Sequence, residues 1–327
     1  MNKVKIGFIG CGGNARGHMA TVAKLENAEI VGVCDVVEES AKKASQDFGG
    51  RAYTDYREML DAEEIHGVMI SIPVFAHGEI ELEVIDRNIP FLVEKPVALD
   101  IETATKIGSA VKEKDLITSV GYQLRYKASA QKGKTILEDK QVGMVEGRYW
   151  CGIARNRDDW RTSIYKSGGQ LLEQATHTLD MMRYLIGEVD EVYSLQEKRL
   201  LEKTGSPDVY STLLKFKNGA IGSISTTWAW DTNDWSNANV LNIFFDRYRM
   251  EWTANEVKIW PEDEGWKAMS LAGDDINKTF VDAIQTGDPS KILSDYEDGI
   301  KSMAVSIAAN ESARLGRPVK VDEVILI

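Results

Sequence analysis

Residues 4–35 read VKIGFIGCGGNARGHMATVAKLENAEIVGVCD, and this stretch decides the fold. An apolar run, Lys3–Ile9, leads directly into a glycine-rich turn, and a helical pattern follows the turn. A second apolar run, Glu29–Cys34, ends on Asp35. Strand, glycine turn, helix, strand and acid, in that order, are the parts of a dinucleotide-binding unit. The stretch therefore predicts a parallel α/β domain that binds a dinucleotide.

Each small residue of the turn has its own task. Gly10 permits the tight turn, and Gly12 lets a pyrophosphate approach the backbone because it has no Cβ. Ala15 lets the helix pack closely on the strand, while Gly13 and Asn14 bring their N–H groups to the phosphates at the start of the helix. The alternative is a tight strand–helix turn without a ligand, since glycine turns are common.

Asp35 distinguishes between the two nicotinamide dinucleotides. It lies twenty residues after Ala15, where a carboxylate meets the hydroxyls of the adenosine ribose. A carboxylate repels a 2′-phosphate, and Val36 and Val37 stand where an NADP site favours an arginine. The sequence therefore predicts NAD as the cofactor and disfavours NADP.

The bulk composition excludes several classes of protein. The chain has 327 residues, 43% of them hydrophobic, and a formal net charge of −12, which disfavours a nucleic-acid partner. No apolar run approaches the roughly 20 residues that span a bilayer, and the first strand leaves no room for a signal peptide. The three cysteines form no metal-ligand pattern. We expect a cytoplasmic protein that binds neither metal nor membrane.

The pattern of elements changes near residue 121. Before it, short apolar runs alternate with helical patterns, which predicts a Rossmann-type parallel sheet with helices on both faces. After it, long strands and an Asn218-Gly219 hairpin signal predict an α+β domain with a large, mostly antiparallel open sheet. The predicted domains are 1–121, which binds NAD, and 122–327, which binds substrate and forms oligomers, with the last helix able to pack back on the first domain.

Two further motifs carry groups that could do chemistry. Glu94-Lys95-Pro96 follows the strand Phe91–Val93 at its carboxyl end, where open α/β sheets bind ligands. The alternative is that Lys95 is a surface lysine in a turn, which would give the same sequence pattern. Glu173 and His177 are four apart in a predicted helix from Gln170 to Ile186, so they would share one face. A carboxylate can orient an imidazole that acts as a base. The alternative is a buried pair that only stabilises the helix.

In the order and spacing of these motifs the chain resembles the glucose–fructose oxidoreductase/inositol dehydrogenase (GFO/IDH/MocA) family over essentially its whole length. The motifs that carry the resemblance are Gly7–Gly12 with Asp35, Ser71-Ile72-Pro73 with His77, Glu94-Lys95-Pro96, Gly121–Tyr126, Gly168–His177 with Asp180, and Tyr296–Gly299.

The resemblance implies an NAD-dependent dehydrogenase or reductase that moves a hydride between nicotinamide and a secondary alcohol or ketone of a sugar, inositol or related polyol. It places Lys95 beside the nicotinamide and the reacting hydroxyl and makes His177 the proton acceptor. Glu173 takes the place of the family's usual Asp, so its exact task is open. The other positions that it assigns to the cofactor are Ser71, Ile72, Pro73, His77 and Glu94.

Polar and aromatic residues suggest where a polyol would bind. Indole rings stack on sugar C–H surfaces, and Asp and Arg side chains bind hydroxyls. An alternative for the stretch between Trp150 and Gly168 is a solvated loop with core tryptophans. The predicted substrate-binding residues are Lys95, Tyr122, Arg125, Trp150, Asp159, Trp160, Arg161 and His177.

The second domain also suggests self-association. A sheet with helices on one face leaves the other face to be covered, and Trp228 and Trp230 are candidates for it. The sequence predicts a homodimer or homotetramer through this sheet. Two other functions stay open: a non-enzymatic dinucleotide-binding sensor or regulator, and a family enzyme that holds its cofactor tightly and carries out no net redox reaction.

Overall fold

The structure is a computed structural model, and it describes residues 3–152, 160–202, 204–230 and 238–325. The chain forms two compact units. The first contains residues 1–98, 103–121 and 275–299, and the second contains residues 99–102, 122–274 and 300–327.

The first unit is built on a sheet whose described strands all run parallel, in the order β3-β2-β1-β4-β5-β6. In the sheet, β2 lies on one side of β1 and β4 lies on the other, so the order of the strands reverses direction between β1 and β4. Parallel α/β folds bind ligands at this topological switch point. The predicted parallel sheet is confirmed. The strands are β1 Val4–Ile9, β2 Ala28–Cys34, β3 Arg51–Tyr53, β4 Gly67–Ile70, β5 Phe91–Val93 and β6 Thr118–Val120.

Helices connect these parallel strands, as the alternating pattern predicts. The helices in this part of the chain are α1 Gly13–Val22, α2 Glu38–Phe48, α3 Tyr56–Ala62, α4 Glu79–Asp86 and α5 Ile101–Lys114.

The first unit also contains a segment from late in the chain, residues 275–299. Its helix, Ile276–Thr286, packs against α1 and β1. Phe280 is fully buried, and a methyl group placed on Gly67 would lie 2.4 Å from the Cδ1 of Ile284. The sequence patterns did not single out this helix.

The second unit is built on a sheet of eight described strands in the order β13-β12-β11-β7-β10-β9-β8-β14. Only β7 and β10 pair in parallel, so the predicted mostly antiparallel sheet is confirmed. Its strands are β7 Val142–Trp150, β8 Val189–Glu197, β9 Val209–Phe216, β10 Ile221–Thr227, β11 Asn239–Phe245, β12 Tyr248–Thr253, β13 Val257–Trp260 and β14 Val319–Lys320.

One face of this sheet is covered and the other is open. Strands alternate in burial, and their inward side chains form one core with the helices. On the open face Leu213 and Ile221 are each 57% exposed. The helices are α6 Ala128–Leu137, α7 Ile164–Ser167, α8 Gln170–Glu173, α9 Thr176–Ile186, α10 Glu264–Ala268, α11 Ile276–Thr286, α12 Tyr296–Leu315 and α13 Val321–Ile325, of which α11 and the first turn of α12 belong to the first unit.

The predicted single helix from Gln170 to Ile186 was wrong, because the chain breaks it into α8 and α9. The N–H of Ala175 donates to the carbonyl of Gln170 at 2.8 Å, five residues back instead of four. No Gly or Pro marks this break. The amide oxygen of Gln174 accepts from the Tyr149 hydroxyl at 3.0 Å, so contacts with β7 accompany it. Glu173 and His177 consequently lie on different helices.

Candidate active site

The glycine turn has a backbone that only glycine can adopt at its first position. Gly10 has φ +93°, and a Cβ there would lie 2.0 Å from the carbonyl oxygen of Ser71. The N–H of Ser71 in turn donates to Ile9 at 2.8 Å. The turn after β1 and the segment after β4 therefore touch at the switch point of the sheet.

The start of α1 is open and carries no competing acid. Gly12 is its N-cap without a side-chain hydrogen bond, and the first turn contains no Asp or Glu. A methyl group on Gly12 or Gly13 would meet no described atom within 4 Å. The first N–H groups of a helix lack intrahelical acceptors and attract anions. Asn14 is exposed and Ala15 is fully buried, so these residues fit the phosphates of a dinucleotide.

Asp35 is held beside this turn at the end of β2. Its two carboxylate oxygens accept from the N–H of Cys11 at 2.8 Å and of Val37 at 2.9 Å. Each oxygen has a second lone pair, and the side chain is only half-buried. The carboxylate is therefore fixed in place while it can still accept hydrogen bonds from ribose hydroxyls.

Lys95 follows β5 in a stretch that is otherwise buried. From Phe91 to Ala98 it is the one residue that is not buried, and Glu94 before it is 5% exposed. The Lys95–Pro96 peptide bond is cis. The backbone N–H of Glu94 donates to Ile70 at 2.9 Å, which ties this turn to the end of β4.

The segment after β4 presents a buried histidine. Ser71, Ile72 and Pro73 are half-buried and precede His77, whose side chain is 1% exposed. Its Nδ1 lies 2.6 Å from the Glu81 carboxylate, which also accepts from the N–H of Gly78 at 2.7 Å. The Nε2 of His77 is buried and has no hydrogen-bond partner among the described residues. A buried ring nitrogen of this kind fits a polar group of a bound cofactor.

In the second unit, His177 is the second residue of α9. It is the one residue between Ala175 and Arg183 that is not buried, although its Nδ1 is buried. Its ring meets the ring of Tyr122 edge-on, with centroids 6.2 Å apart. The Tyr122 hydroxyl lies 3.0 Å from the Thr176 hydroxyl. Burial raises the pKa of Tyr122, so this residue supports the imidazole as a neutral phenol.

Glu173 ends α8 and is 6% exposed. Its charge acts on the nearby Cys151: burial raises the pKa of that thiol to about 12, the Gln170 side chain opposes the rise and Glu173 adds to it. One of its carboxylate oxygens, Oε2, is itself buried.

Arg125 has a structural partner. Its guanidinium binds Asp180 through two hydrogen bonds, of 2.9 and 2.6 Å, and both side chains are at most 5% exposed. The Ser302 hydroxyl also donates to Asp180 at 2.5 Å. Tyr122 is fully buried as well, so these two predicted substrate-binding residues lie beneath the surface, where they support α9.

Trp150 and His177 belong to opposite sides of the second sheet. Along β7 the buried Tyr149 points to the helices, so Trp150 lies on the open face, where its indole N–H donates to Ser225 at 3.1 Å. It lines a cavity of about 270 Å³ with Arg148, Thr227 and Trp230.

The predicted substrate loop is described only in part. Trp160 and Arg161 form a short 3-10 turn, 160–162, and both are half-buried. The Arg161 charge reaches Cys151, whose pKa it lowers against the larger effect of burial. Asp159 lies outside the described residues. Of the two tryptophans predicted for the exposed face of the sheet, Trp228 is buried, with 1% of its surface exposed, and Trp230 is 39% exposed. The prediction was therefore wrong for Trp228.

Sequence reasoning missed Glu81, Asn277 and the role of His18. His18 lies on the buried face of α1 with Ala15, Met19 and Val22, a position where a polar ring requires partners. That periodicity was the available signal, but its partners lie 76 and 259 residues away. Within the described ranges, each helix is too short or too polar to cross a bilayer.

Comparisons with known proteins agree with this geometry. Residues 4–122 match a family model described as an oxidoreductase family with an NAD-binding Rossmann fold, and residues 132–250 match the GFO/IDH/MocA C-terminal domain. The chain is 25% identical to the myo-inositol 2-dehydrogenase of Thermotoga maritima over 98% of this chain and 100% of that protein.

Two further relatives differ in coverage. Glucose-6-phosphate 3-dehydrogenase of Bacillus subtilis is 30% identical over 55% of this chain, and the match spans about half of that relative, 53%. The WlbA dehydrogenase of Bordetella pertussis, solved with NADH and UDP-GlcNAcA, has a TM-score of 0.85 at 23% identity over 98% of this chain and 99% of that one. The two family models together cover most of the chain, which belongs to the GFO/IDH/MocA family of NAD-dependent oxidoreductases.

Proposed function

We propose that this enzyme oxidises a secondary alcohol of a sugar, inositol or related polyol, or reduces the corresponding ketone. The observation that carries the proposal is a pair of basic side chains, Lys95 and His177, each the one residue not buried in its own stretch of backbone. Relatives matched over nearly the whole chain support the substrate class, because they are named myo-inositol and scyllo-inositol 2-dehydrogenases.

Alcohol oxidation needs a hydride acceptor and a base. Bound NAD supplies the hydride acceptor, held by Gly10, Gly12, Gly13, Asn14, Ala15 and Asp35 and bordered by Ser71, Ile72, Pro73, His77 and Glu94. We assign proton acceptance from the hydroxyl to the imidazole of His177, because histidine can hold a proton reversibly near neutral pH. Lys95 stabilises the negative charge that develops on the substrate oxygen.

The surroundings of His177 suit a base that must keep one orientation. The edge-on contact between the His177 and Tyr122 rings supports the imidazole from within the core, and a hydrogen bond to Thr176 holds Tyr122 in place. Glu173 precedes α9 by three residues, and a carboxylate near a helix N-terminus is stabilised by the helix dipole. We therefore keep Glu173 as a contributor to the electrostatics of His177.

The two parts of the chain divide the work. We assign cofactor binding to residues 1–121 and substrate binding and oligomerisation to residues 122–327. Trp160 and Arg161, with Asp159, are the proposed contacts to the polyol.

The test is turnover of single variants. We expect His177→Ala and Lys95→Ala each to lower kcat by at least about a hundredfold, because each removes a group that acts on the reacting hydroxyl. His66→Ala is the control, because this histidine lies at the other end of β4 beside the exposed Glu64. The assay is NAD reduction over a panel of monosaccharides, inositols, amino sugars and sugar acids.

The same assay separates the other functions. Unchanged turnover in the His177→Ala, Lys95→Ala double variant would overturn the catalytic assignment. A chain that binds NAD but turns over no member of the panel would favour a sensor or regulator. Cofactor that stays bound through gel filtration without net NADH formation would favour an enzyme without net redox.

The open face of the second sheet is the proposed oligomer contact. It exposes Met144, Leu195, Leu213 and Ile221, each between 41% and 58% exposed. Exposed apolar side chains of this kind are stabilised when a second copy of the chain buries them. We propose a homodimer or homotetramer through this face.

A further inference from the structure

A buried chain of polar side chains joins helix α1 to the Glu94-Lys95-Pro96 turn. His18 lies on α1, five residues after the helix begins, and its side chain is 6% exposed. Its Nε2 lies 2.8 Å from the carboxylate of Glu94, and its Nδ1 lies 2.5 Å from the amide oxygen of Asn277 on α11. Neither contact is part of the proposed dinucleotide site, so dinucleotide binding does not account for the buried histidine.

The orientation of Asn277 is fixed by a third residue. Asp275 is the N-cap of α11, and its carboxylate accepts from the Asn277 side-chain NH2 at 3.0 Å and from the Asn277 backbone N–H at 2.8 Å. The amide oxygen of Asn277 must therefore face His18. With Glu94 ionised, both ring nitrogens of His18 face oxygen acceptors, and each nitrogen then needs a hydrogen to make its bond.

Two hydrogens make the ring an imidazolium. The charged groups that face it are Glu94 after β5 and Asp275 at the start of α11. Burial opposes a charged ring, but the hydrogen bond and charge of Glu94, with the contributions of Asn277 and Asp275, leave the pKa of His18 raised. A buried carboxylate and a buried imidazolium thus neutralise each other.

The space around the Glu94 carboxylate is limited on another side. A methyl group on Gly121 would lie 2.9 Å from the carboxyl carbon of Glu94. The N–H of Gly121 donates to Val93, the last residue of β5, at 2.8 Å. The carboxylate is therefore held by His18 in a slot that only a glycine at position 121 leaves open.

We propose that His18 is a positioning residue: by holding the Glu94 carboxylate against α1, it fixes the backbone of the turn that presents Lys95. The same helix offers its N-terminus to the cofactor phosphates, so one rigid element sets the positions of both. The inference rests on the proposed function for the role of Lys95. The doubly protonated state of His18 rests on the two oxygen atoms that face its ring nitrogens, and it does not depend on the role of Lys95.

The first experiment measures the charge state directly and needs no substrate. Uniform ¹⁵N labelling of the four histidines, with His18→Gln to assign the resonance, should show both His18 nitrogens protonated at pH 7. Because the folded-state pKa is raised, the pair stabilises the fold fully below the unfolded-state pKa of about 6.5. The difference in unfolding free energy between wild type and His18→Gln should shrink as the pH rises through the folded-state value. A singly protonated ring at pH 7 would overturn the proposal.

The second experiment measures the consequence for catalysis. His18→Gln removes the ring that holds Glu94, and Gly121→Ala displaces the Glu94 carboxylate. We expect each to lower kcat about tenfold, the size that loss of one hydrogen bond gives, with Kd for NAD changed less than about threefold. If His18 acts through Glu94, adding His18→Gln to the Glu94→Gln variant should lower kcat little further. His66→Gln, at a histidine that also lies beside a glutamate, should leave kcat unchanged.

The outcomes separate this inference from the proposed function. A doubly protonated His18 with unchanged kcat in His18→Gln would show a purely structural pair and refute positioning. If Lys95→Ala also left kcat unchanged, the proposed function itself would be wrong. Loss of NAD affinity in step with kcat would likewise refute positioning, because it would assign His18 to cofactor binding.

Discussion

Replacing Gly12 with alanine should separate cofactor affinity from folding stability. Gly12 caps α1 with φ −70° and ψ −174°, a conformation open to alanine, and its new methyl group would meet no described atom within 4 Å. The folded chain therefore tolerates the substitution. The methyl group would instead occupy the space through which a pyrophosphate reaches the first N–H groups of the helix.

The expected loss of affinity follows from the hydrogen bonds at stake. A hydrogen bond to a charged group contributes about 1.5–3 kcal/mol. Loss of one such bond, taken as about 2 kcal/mol, raises Kd for NAD about thirtyfold. The unfolding free energy should change by less than about 1 kcal/mol, because two effects oppose each other. Alanine is a poorer N-cap than glycine, which destabilises the fold, but it also makes the unfolded chain less flexible, which stabilises the fold.

The measurements are NAD titration by calorimetry and urea unfolding, on the same preparations. Gly17→Ala is the matched control on the same helix: Gly17 is exposed, and a methyl group there also meets no described atom within 4 Å. It should leave Kd unchanged and stabilise the fold by up to about 1 kcal/mol. If Gly12→Ala binds NAD within twofold of wild type, the phosphates do not approach this backbone and the assignment of the turn is refuted.

Two other predictions concern the cofactor and the assembly. Asp35→Asn removes the charge but keeps one acceptor oxygen, so Kd for NAD should rise about tenfold and the ratio of the NADP and NAD dissociation constants should become smaller. Parallel titrations with the two cofactors measure this ratio. An unchanged ratio would show that Asp35 does not contact the ribose. In sedimentation equilibrium at micromolar concentration, the wild-type protein should have a mass greater than that of one chain. The double substitution Leu213→Glu, Ile221→Glu should reduce the measured mass toward that of one chain. A monomeric wild-type protein would contradict the proposed interface.

The elements of the first unit were largely predictable because local rules determine them. The positive φ that glycine tolerates determines the turn at Gly10, and the apolar runs determine the strands. Lys95 could be placed at the carboxyl end of a strand because the Glu94-Lys95-Pro96 motif directly follows β5.

The break between α8 and α9 could not be predicted. No residue between Glu173 and Thr176 disfavours a helix strongly, and the turn coincides with the contact between Gln174 and Tyr149 on β7. The prediction that Glu173 and His177 share one face of a single helix was therefore wrong. The pairing of Arg125 with Asp180, 55 residues away, likewise has no local signature in the sequence.

The sequence by itself determined the parallel sheet, the dinucleotide turn and the acid that follows β2, because neighbours along the chain make each of them. Only the tertiary structure decided which polar groups meet: His18 reaches Glu94 and Asn277, and α11 returns to pack on α1. Such contacts depend on which surfaces the core brings together, and helical or strand periodicity carries no information about a partner 259 residues away. The physical reason is that burial requires a partner for each polar group but leaves the identity of that partner to the packing.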